Sequence, residues 1–218
     1  MIDYKKLKNS ILFSGMKEEE IRIVLGCLSK RVKRYEKGSI IFQVGDEISE
    51  LGIVMGGSVH IIREDYWGNR DLMARIGEYE IFGETYACTP TSVIPVYVIA
   101  AQKTEVLFLK VKKILTTCSS ACQFHNRLIQ NMLAVLAEKN LQMTNKIDVV
   151  TKRTTRSKLM TYLSKHAEQN HCSEFSIPLT RQQLADYLGV DRSAMTVELK
   201  KMQQEGLIQF EKNQFHLM

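Results

Sequence analysis

No stretch of this chain approaches the roughly twenty apolar residues that a membrane-spanning helix requires. Its opening, MIDYKKLKNSILFSGMKEEE, also has no apolar core long enough for a signal peptide. A soluble protein is the expectation. Cysteine is sparse and badly placed for crosslinking: Cys27, Cys88, Cys118, Cys122 and Cys172 are odd in number, widely spread and never in a C-x-x-C spacing. That argues against a disulfide framework and for a reduced, cytoplasmic setting. Cys118 and Cys122 stand four residues apart and could share a helix face, but such a pair is ordinarily two small buried side chains, not a metal or disulfide site. Histidine is thinner still where strands are expected, with only His60 between Val32 and Lys110. A cupin-like metalloenzyme needs clustered histidine and acidic ligands on its strands, so an enzyme is not expected. No catalytic residue, metal ligand or cofactor is assigned.

What is present divides into three unlike parts. The 218 residues are long for one small domain and short for three, and 30 Lys+Arg against 24 Asp+Glu leave +6, a balance that favours polyanionic partners. After a short helical opening over Ile11 to Leu28, broken at Gly15, the segment from Val32 to Lys110 carries most of the glycines and much of the apolar alternation. GSIIFQVGDE, LGIVMGGSVHIIRED, RDLMARIG and TEVLFLK read as short strands, and Gly68-Asn69 in DYWGNRD marks a hairpin. Many short strands at this spacing mean a sandwich or roll.

From Ser119 to about Val150 there is neither glycine nor proline, and Ile129, Met132, Leu136, Met143 and Val150 draw one apolar stripe along a long helix, interrupted by Lys139 and Lys146. Phe124, Leu128 and Val135 form a second stripe beside it. Two apolar faces are more than one small β domain covers, which predicts a partner helix, with Phe124, Leu128, Ile129, Met132, Val135, Leu136 and Met143 as the dimer interface. The domain boundaries expected are a β-roll over 1–118, a dimerisation helix over 119–150 and a DNA-binding domain over 151–218.

In that last part, LADYLGVDRSAMTVELKKM contains two helical runs separated by Gly189, Val190 and Asp191. Leu184, Ala185, Leu188 and Val190 supply one apolar face, and Met195, Leu199 and Met202 supply another. Two short helices crossing over a small shared core make a helix-turn-helix, with Gly189 permitting a left-handed corner and Asp191 capping the second helix. Arg192, Ser193, Thr196, Val197 and Lys200 are left facing outward, and these types suit a major groove. Ile208 and Phe210, a polar turn at Lys212-Asn213, then Phe215 and Leu217 read as a terminal hairpin placed as a wing. The basic run Lys152, Arg153, Arg156, Lys158 and Lys165 suits phosphates. A scaffolding protein whose winged helix binds protein is the rival reading, and the outward Arg192, Thr196 and Lys200 argue against it.

The order β-roll, long helix, winged helix-turn-helix resembles the CRP/FNR family of bacterial transcription regulators over nearly the whole chain. TRQQLADYLGVDRSAM with EGLI after it, YEKGSIIFQVGDEISELGIVMGGSVHI, and FGE at Phe82 to Glu84 carry the resemblance. It implies an α+β protein whose roll is a jelly roll like a cyclic-nucleotide-binding domain. It further implies a homodimer through the long helix, a small-molecule pocket in each roll, and recognition of an inverted-repeat site in double-stranded DNA. Arg181 and Gln182 join the DNA-binding set by the same resemblance, and an activator would also contact RNA polymerase.

The departures are as informative as the matches. Cyclic-nucleotide binders of the family hold the cyclic phosphate with an Arg-Ser or Arg-Thr pair, and the two places are Ile94 and Pro95 here. Neither side chain offers a charge, and proline lacks even the N–H. The effector-pocket residues are thus Gly83, Glu84, Tyr86, Ile94, Pro95 and Tyr97, in a roll that should not bind cyclic AMP. Two readings stand: a small molecule other than cyclic AMP, uncharged or aromatic, walled by Tyr86 and Tyr97, or a vestigial pocket closed by core side chains. An iron–sulfur sensor needs four converging thiolates, and the N-terminal region offers only Cys27. On the DNA helix, Ser193 stands where an acidic residue is frequent and Val197 where a second arginine is frequent, so the half-site should differ from that of the cyclic-AMP receptor.

Overall fold

The computed structural model describes residues 2–89, 93–116 and 123–218, with only the main chain of Gln123. Cys118 and Cys122 lie outside the described residues. The chain divides into two compact units, Met1–Ala137 and Glu138–Met218.

The first unit opens with α1 (Tyr4–Leu7), a 3-10 turn over Ile11–Phe13 and α2 (Glu18–Cys27). Gly15 takes φ +70 at the break between turn and helix. Strands β1 (Lys30–Tyr35), β2 (Ile40–Phe42), β3 (Glu50–Gly56), β4 (Val59–Glu64), β5 (Arg70–Ile76), β6 (Ile81–Phe82), β7 (Tyr97–Ala100) and β8 (Thr104–Lys110) follow, with α3 (Glu84–Ala87) between β6 and β7 and α4 (Val111–Leu115) after β8. They form two antiparallel four-stranded sheets, β1-β8-β3-β6 and β2-β7-β4-β5. The long apolar run, LGIVMGGSVHIIRED, divides at Gly57, φ +90, into β3 of one sheet and β4 of the other.

Strand β8 shows why VLFL is apolar throughout. Val106 and Phe108 point into the space between the sheets, while Leu107 and Leu109 point to the outer face. Between the sheets, Phe42, Phe82 and Phe108 meet edge to face with ring centroids 5.8–6.4 Å apart, and Val54, Val59 and Val98 fill around them. On the outer face, α1, α2, α4 and the first half of α5 (Gln123–Val150) cover Leu51, Ile53, Leu107 and Leu109. Strand β1 is nearly all charge and lies at an edge, which is why alternation alone does not reveal it.

The second unit contains the rest of α5, then α6 (Thr155–Asn170), β9 (Glu174–Ser176), α7 (Arg181–Leu188), α8 (Arg192–Gln204), β10 (Ile208–Glu211) and β11 (Gln214–Leu217). The three strands pair in the order β10-β11-β9, so the terminal hairpin gains a third strand from SEFS, a segment without enough alternation to be read in advance. Leu159, Leu163, Leu184, Leu188, Met195, Leu199, Met202, Ile208 and Phe215 make the core. Among the described residues no helix is long and apolar enough to cross a membrane.

Candidate nucleic-acid interface and effector pocket

The corner between α7 and α8 is built as its sequence requires. Thr180 caps α7 in a reciprocal box: its hydroxyl accepts from the Gln183 N–H, and Gln183 Oε1 accepts from the Thr180 N–H at 2.9 Å. Gly189 ends the helix at φ +60, a left-handed conformation that costs glycine little. The Val190 N–H then reaches back to the Ala185 carbonyl at 3.1 Å. Two residues later Asp191 starts α8, its Oδ1 accepting from the Ala194 N–H at 2.8 Å. Lys158 on α6 donates to the Leu188 carbonyl at 2.9 Å, adding a cation where the α7 dipole is negative.

With Met195, Leu199 and Met202 buried, α8 turns Arg192, Ser193, Val197 and Lys200 outward, and Val197 is 54% exposed. An exposed valine beside an arginine and a lysine has no packing purpose within the unit. Thr196 is half-buried and its hydroxyl donates to the Arg192 carbonyl at 2.8 Å, so only its acceptor lone pairs and methyl remain for a ligand. Gln182 is exposed and donates to Asp186 at 2.8 Å. Arg181 departs from the expectation: its guanidinium is folded onto Phe210 and Phe215 and donates to the Lys212 carbonyl, so it is half-buried beneath the wing.

The basic run is also corrected. Arg156 is ion-paired with Glu198 on α8 and with Glu205, which caps that helix, and its pKa is raised by the hydrogen bond to Glu205. Lys152 and Lys165 both hold Asp148, at 2.8 and 2.7 Å, and push its carboxyl down to about 2. These cations neutralise the protein's own carboxylates before any phosphate arrives. Only the Lys152–Asp148 pair, four residues apart, is local; the partners of Arg156 and Lys165 lie 17 to 49 residues away in the chain.

In α5, part of the expected dimer interface is turned into the chain's own core. Leu128, Met132 and Val135 are at most 3% exposed and belong to the core of the first unit, with Phe124 packed against it. Arg127 donates to the Gly15 carbonyl and Asn131 to the Leu12 and Ser14 carbonyls, fixing that face inward. The apolar residues left outside are Leu133, Leu141, Met143 and Ile147, 53–66% exposed, with Ile129 and Leu136 half-buried. Met132 is therefore core, and its neighbour Leu133 faces outward.

In the roll, Gly83 takes φ +78, and a Cβ there would meet Ile48 at 3.3 Å and Phe42 at 3.4 Å. It ends β6 and delivers Glu84, 3% exposed, whose Oε1 accepts from the Thr85 hydroxyl at 3.2 Å. Ile94 is 1% exposed and packs with Phe42, Phe82 and Phe108 between the sheets, whereas Pro95 faces solvent. Tyr86 is half-buried against the same core, and Tyr97 is half-buried with the Arg70 guanidinium 5.9 Å above its ring. The position expected to face a cyclic phosphate, Ile94, is thus part of the packed inter-sheet core. His60 is half-buried on β4, and among the described residues no three His, Cys, Asp or Glu side chains gather as a metal site.

Residues 32–121 match the cyclic nucleotide-binding domain family, and residues 157–218 match the Crp-like helix-turn-helix domain family. The chain belongs to the CRP/FNR family. As a CRP/FNR protein it is a DNA-binding transcription regulator and not an enzyme. It is similar to the cyclic AMP receptor protein of Thermus thermophilus, 25% identical over 202 residues that cover 93% of this chain and 89% of the relative. Its fold is that of the Thermus thermophilus catabolite activator protein, with TM-score 0.56 and 24% identity over 96% of this chain and 94% of that one. The c-di-GMP responsive global regulator CLP of Xanthomonas campestris is similar in fold at TM-score 0.57 and 20% identity, covering 92% of this chain and 99% of that one. The CRP/FNR roll here thus keeps the family's fold.

Proposed function

We propose that this CRP/FNR regulator acts in the cytoplasm as a homodimer joined through α5, and reads an inverted repeat in double-stranded DNA with one α8 per half-site. The observation that carries the DNA reading is the outer face of α8: Arg192 for a guanine edge, Ser193 for phosphate or base, Val197 for a thymine methyl and Lys200 for phosphate, on a helix held by its buried face. Thr196 adds an acceptor and a methyl at the edge of that surface. The dimer reading rests on Leu133, Leu136, Asn140, Met143 and Ile147, whose steps of three, four, three and four residues form a heptad seam facing solvent in the single chain. A two-fold protein requires a two-fold site, with half-sites centred about one helical turn, ten base pairs, apart. Selection of bound fragments from a random pool checks this: an inverted repeat is expected, and a single unpaired motif would sink the dimeric recognition.

Cyclic AMP is not the signal in this reading, because Ile94 puts a packed methyl group where the cyclic phosphate needs a charge. An uncharged or aromatic effector, walled by Tyr86 and Tyr97, is compatible with the partial exposure of both rings. A second reading, that the roll takes no effector, is favoured by the same packing of Ile94 among three phenylalanine rings. Bound metabolite in protein purified from its native host separates the two.

A further inference from the structure

Arg181 opens α7, yet its guanidinium belongs to the wing. Its Nη2 donates to the Lys212 carbonyl at 2.6 Å, and its Cζ lies over the Phe210 and Phe215 rings, 4.8 and 4.9 Å from their centroids, a cross-strand pair of β10 and β11. Its Nη1 is sealed from solvent with no acceptor among the described residues. A guanidinium free to meet a phosphate would keep that N–H in water, since burying a donor unpaired is costly. Burial also lowers its pKa.

The residue it holds is unusual in its own right. Lys212 and Asn213 form the two-residue turn between Glu211 and Gln214, and Lys212 takes φ +49 at the first turn position, where hairpins of this length usually place glycine. Both turn carbonyls are tied down, Lys212 by Arg181 and Asn213 by the Ile177 N–H at 2.9 Å. The Lys212 side chain itself is exposed.

We infer that Arg181 is a positioning residue for the wing: it holds the Lys212–Asn213 turn so that the Lys212 ammonium is presented to a DNA phosphate, and it does not touch DNA itself. This rests on the reading of the winged helix as the DNA-facing surface. Only a planar, forked cation can lie against two rings and donate from its edge to a carbonyl; a lysine keeps the charge and loses the geometry.

The test uses the full chain, a selected inverted-repeat fragment and binding measured across a salt series. Lys212→Ala should weaken all sequences alike and lower the salt slope by about one ion per wing. Arg181→Lys should give the same loss and the same fall in slope although the charge is kept. Arg181→Gln combined with Lys212→Ala should bind no more weakly than either alone. Wild-type affinity for Arg181→Lys, an additive loss in the double variant, or no effect of Lys212→Ala would each overturn the inference. Should Arg181→Gln melt the winged helix, the main-chain chemical shifts of Lys212 in free Arg181→Lys read the turn directly, and unchanged shifts overturn it. Failure of the wild type to bind any fragment would instead remove the DNA-facing reading, and this inference with it.

Discussion

Arg192 and Lys200 stand eight residues apart on one helix face, and the proposed interface gives them different roles. An arginine fork matches the O6 and N7 of guanine, whereas a lysine is a point charge that meets any phosphate equally. Arg192→Ala is therefore expected to cost about 1–3 kcal/mol on the selected site and to relax preference at one base pair per half-site. Lys200→Ala should weaken every sequence alike and lower the salt slope by about one. Binding to a panel of single-base variants distinguishes them, and an equal loss on all sequences for Arg192→Ala would remove it from base recognition. Glu198, between them in sequence, does not spoil the surface because Arg156 neutralises it from behind.

The helix α5 has one apolar face packed in its own unit and another left exposed, which the proposal assigns to the dimer. Met132 is 1% exposed inside the first unit, so Met132→Ala should cost about 2–5 kcal/mol of that unit's stability and leave assembly unchanged at temperatures where it is folded. Leu133 is 60% exposed, so Leu133→Glu should leave the fold intact and place a carboxylate in the proposed seam, shifting the protein to monomer. Sedimentation with a melting curve on each variant reads both, and a persistent Leu133→Glu dimer would move the seam elsewhere. On α6, His166 is wedged between the Tyr162 ring at 4.6 Å and the Phe175 ring at 6.0 Å, and burial lowers its pKa below 6.5. The unfolded chain then binds the proton more readily than the folded one. The neutral form's contribution is fully present above pH about 6.5 and is lost as pH falls from there through the folded value. Denaturant titrations at stepped pH should show this loss in the wild type and a smaller one in His166→Phe; identical pH slopes would exclude His166 as the cause.

For the assembled regulator, the expected response to cyclic AMP is none. A site of micromolar affinity under millimolar nucleotide, a thousandfold excess over Kd, would add about 4 kcal/mol of stability, enough to raise the melting temperature visibly. With Ile94 buried in the roll core, neither a melting shift nor saturable heat on titration is expected. Saturable binding would mean that another cation reaches the phosphate. In the proposed homodimer, assembly and DNA binding should be linked at this scale, because two tethered α8 helices would share one site and each would raise the other's effective concentration. A monomeric variant should lose affinity for the full inverted repeat far more than for a half-site.

Local pattern was sufficient for much of this. Short alternating runs and glycine turns announce a roll, the glycine-free stretch announces a long helix, and Gly189 followed by Asp191 announces the corner and its cap, because φ preferences, capping and periodicity act within about four residues. That Ile94 is apolar was legible too, and the structure adds that it is buried between the sheets. What periodicity could not decide is which apolar face of α5 meets its own domain. Met132 and Leu133 are neighbours in sequence, and the choice is made by Arg127 and Asn131 bonding to carbonyls more than a hundred residues away. The fate of the basic residues was equally hidden. Arg156 pairs with Glu205, forty-nine residues on, and Arg181 meets the Lys212 carbonyl, thirty-one residues on. A charge read along the chain is only a potential contact, and whether it remains free for DNA is determined by the carboxylates and rings that folding brings against it.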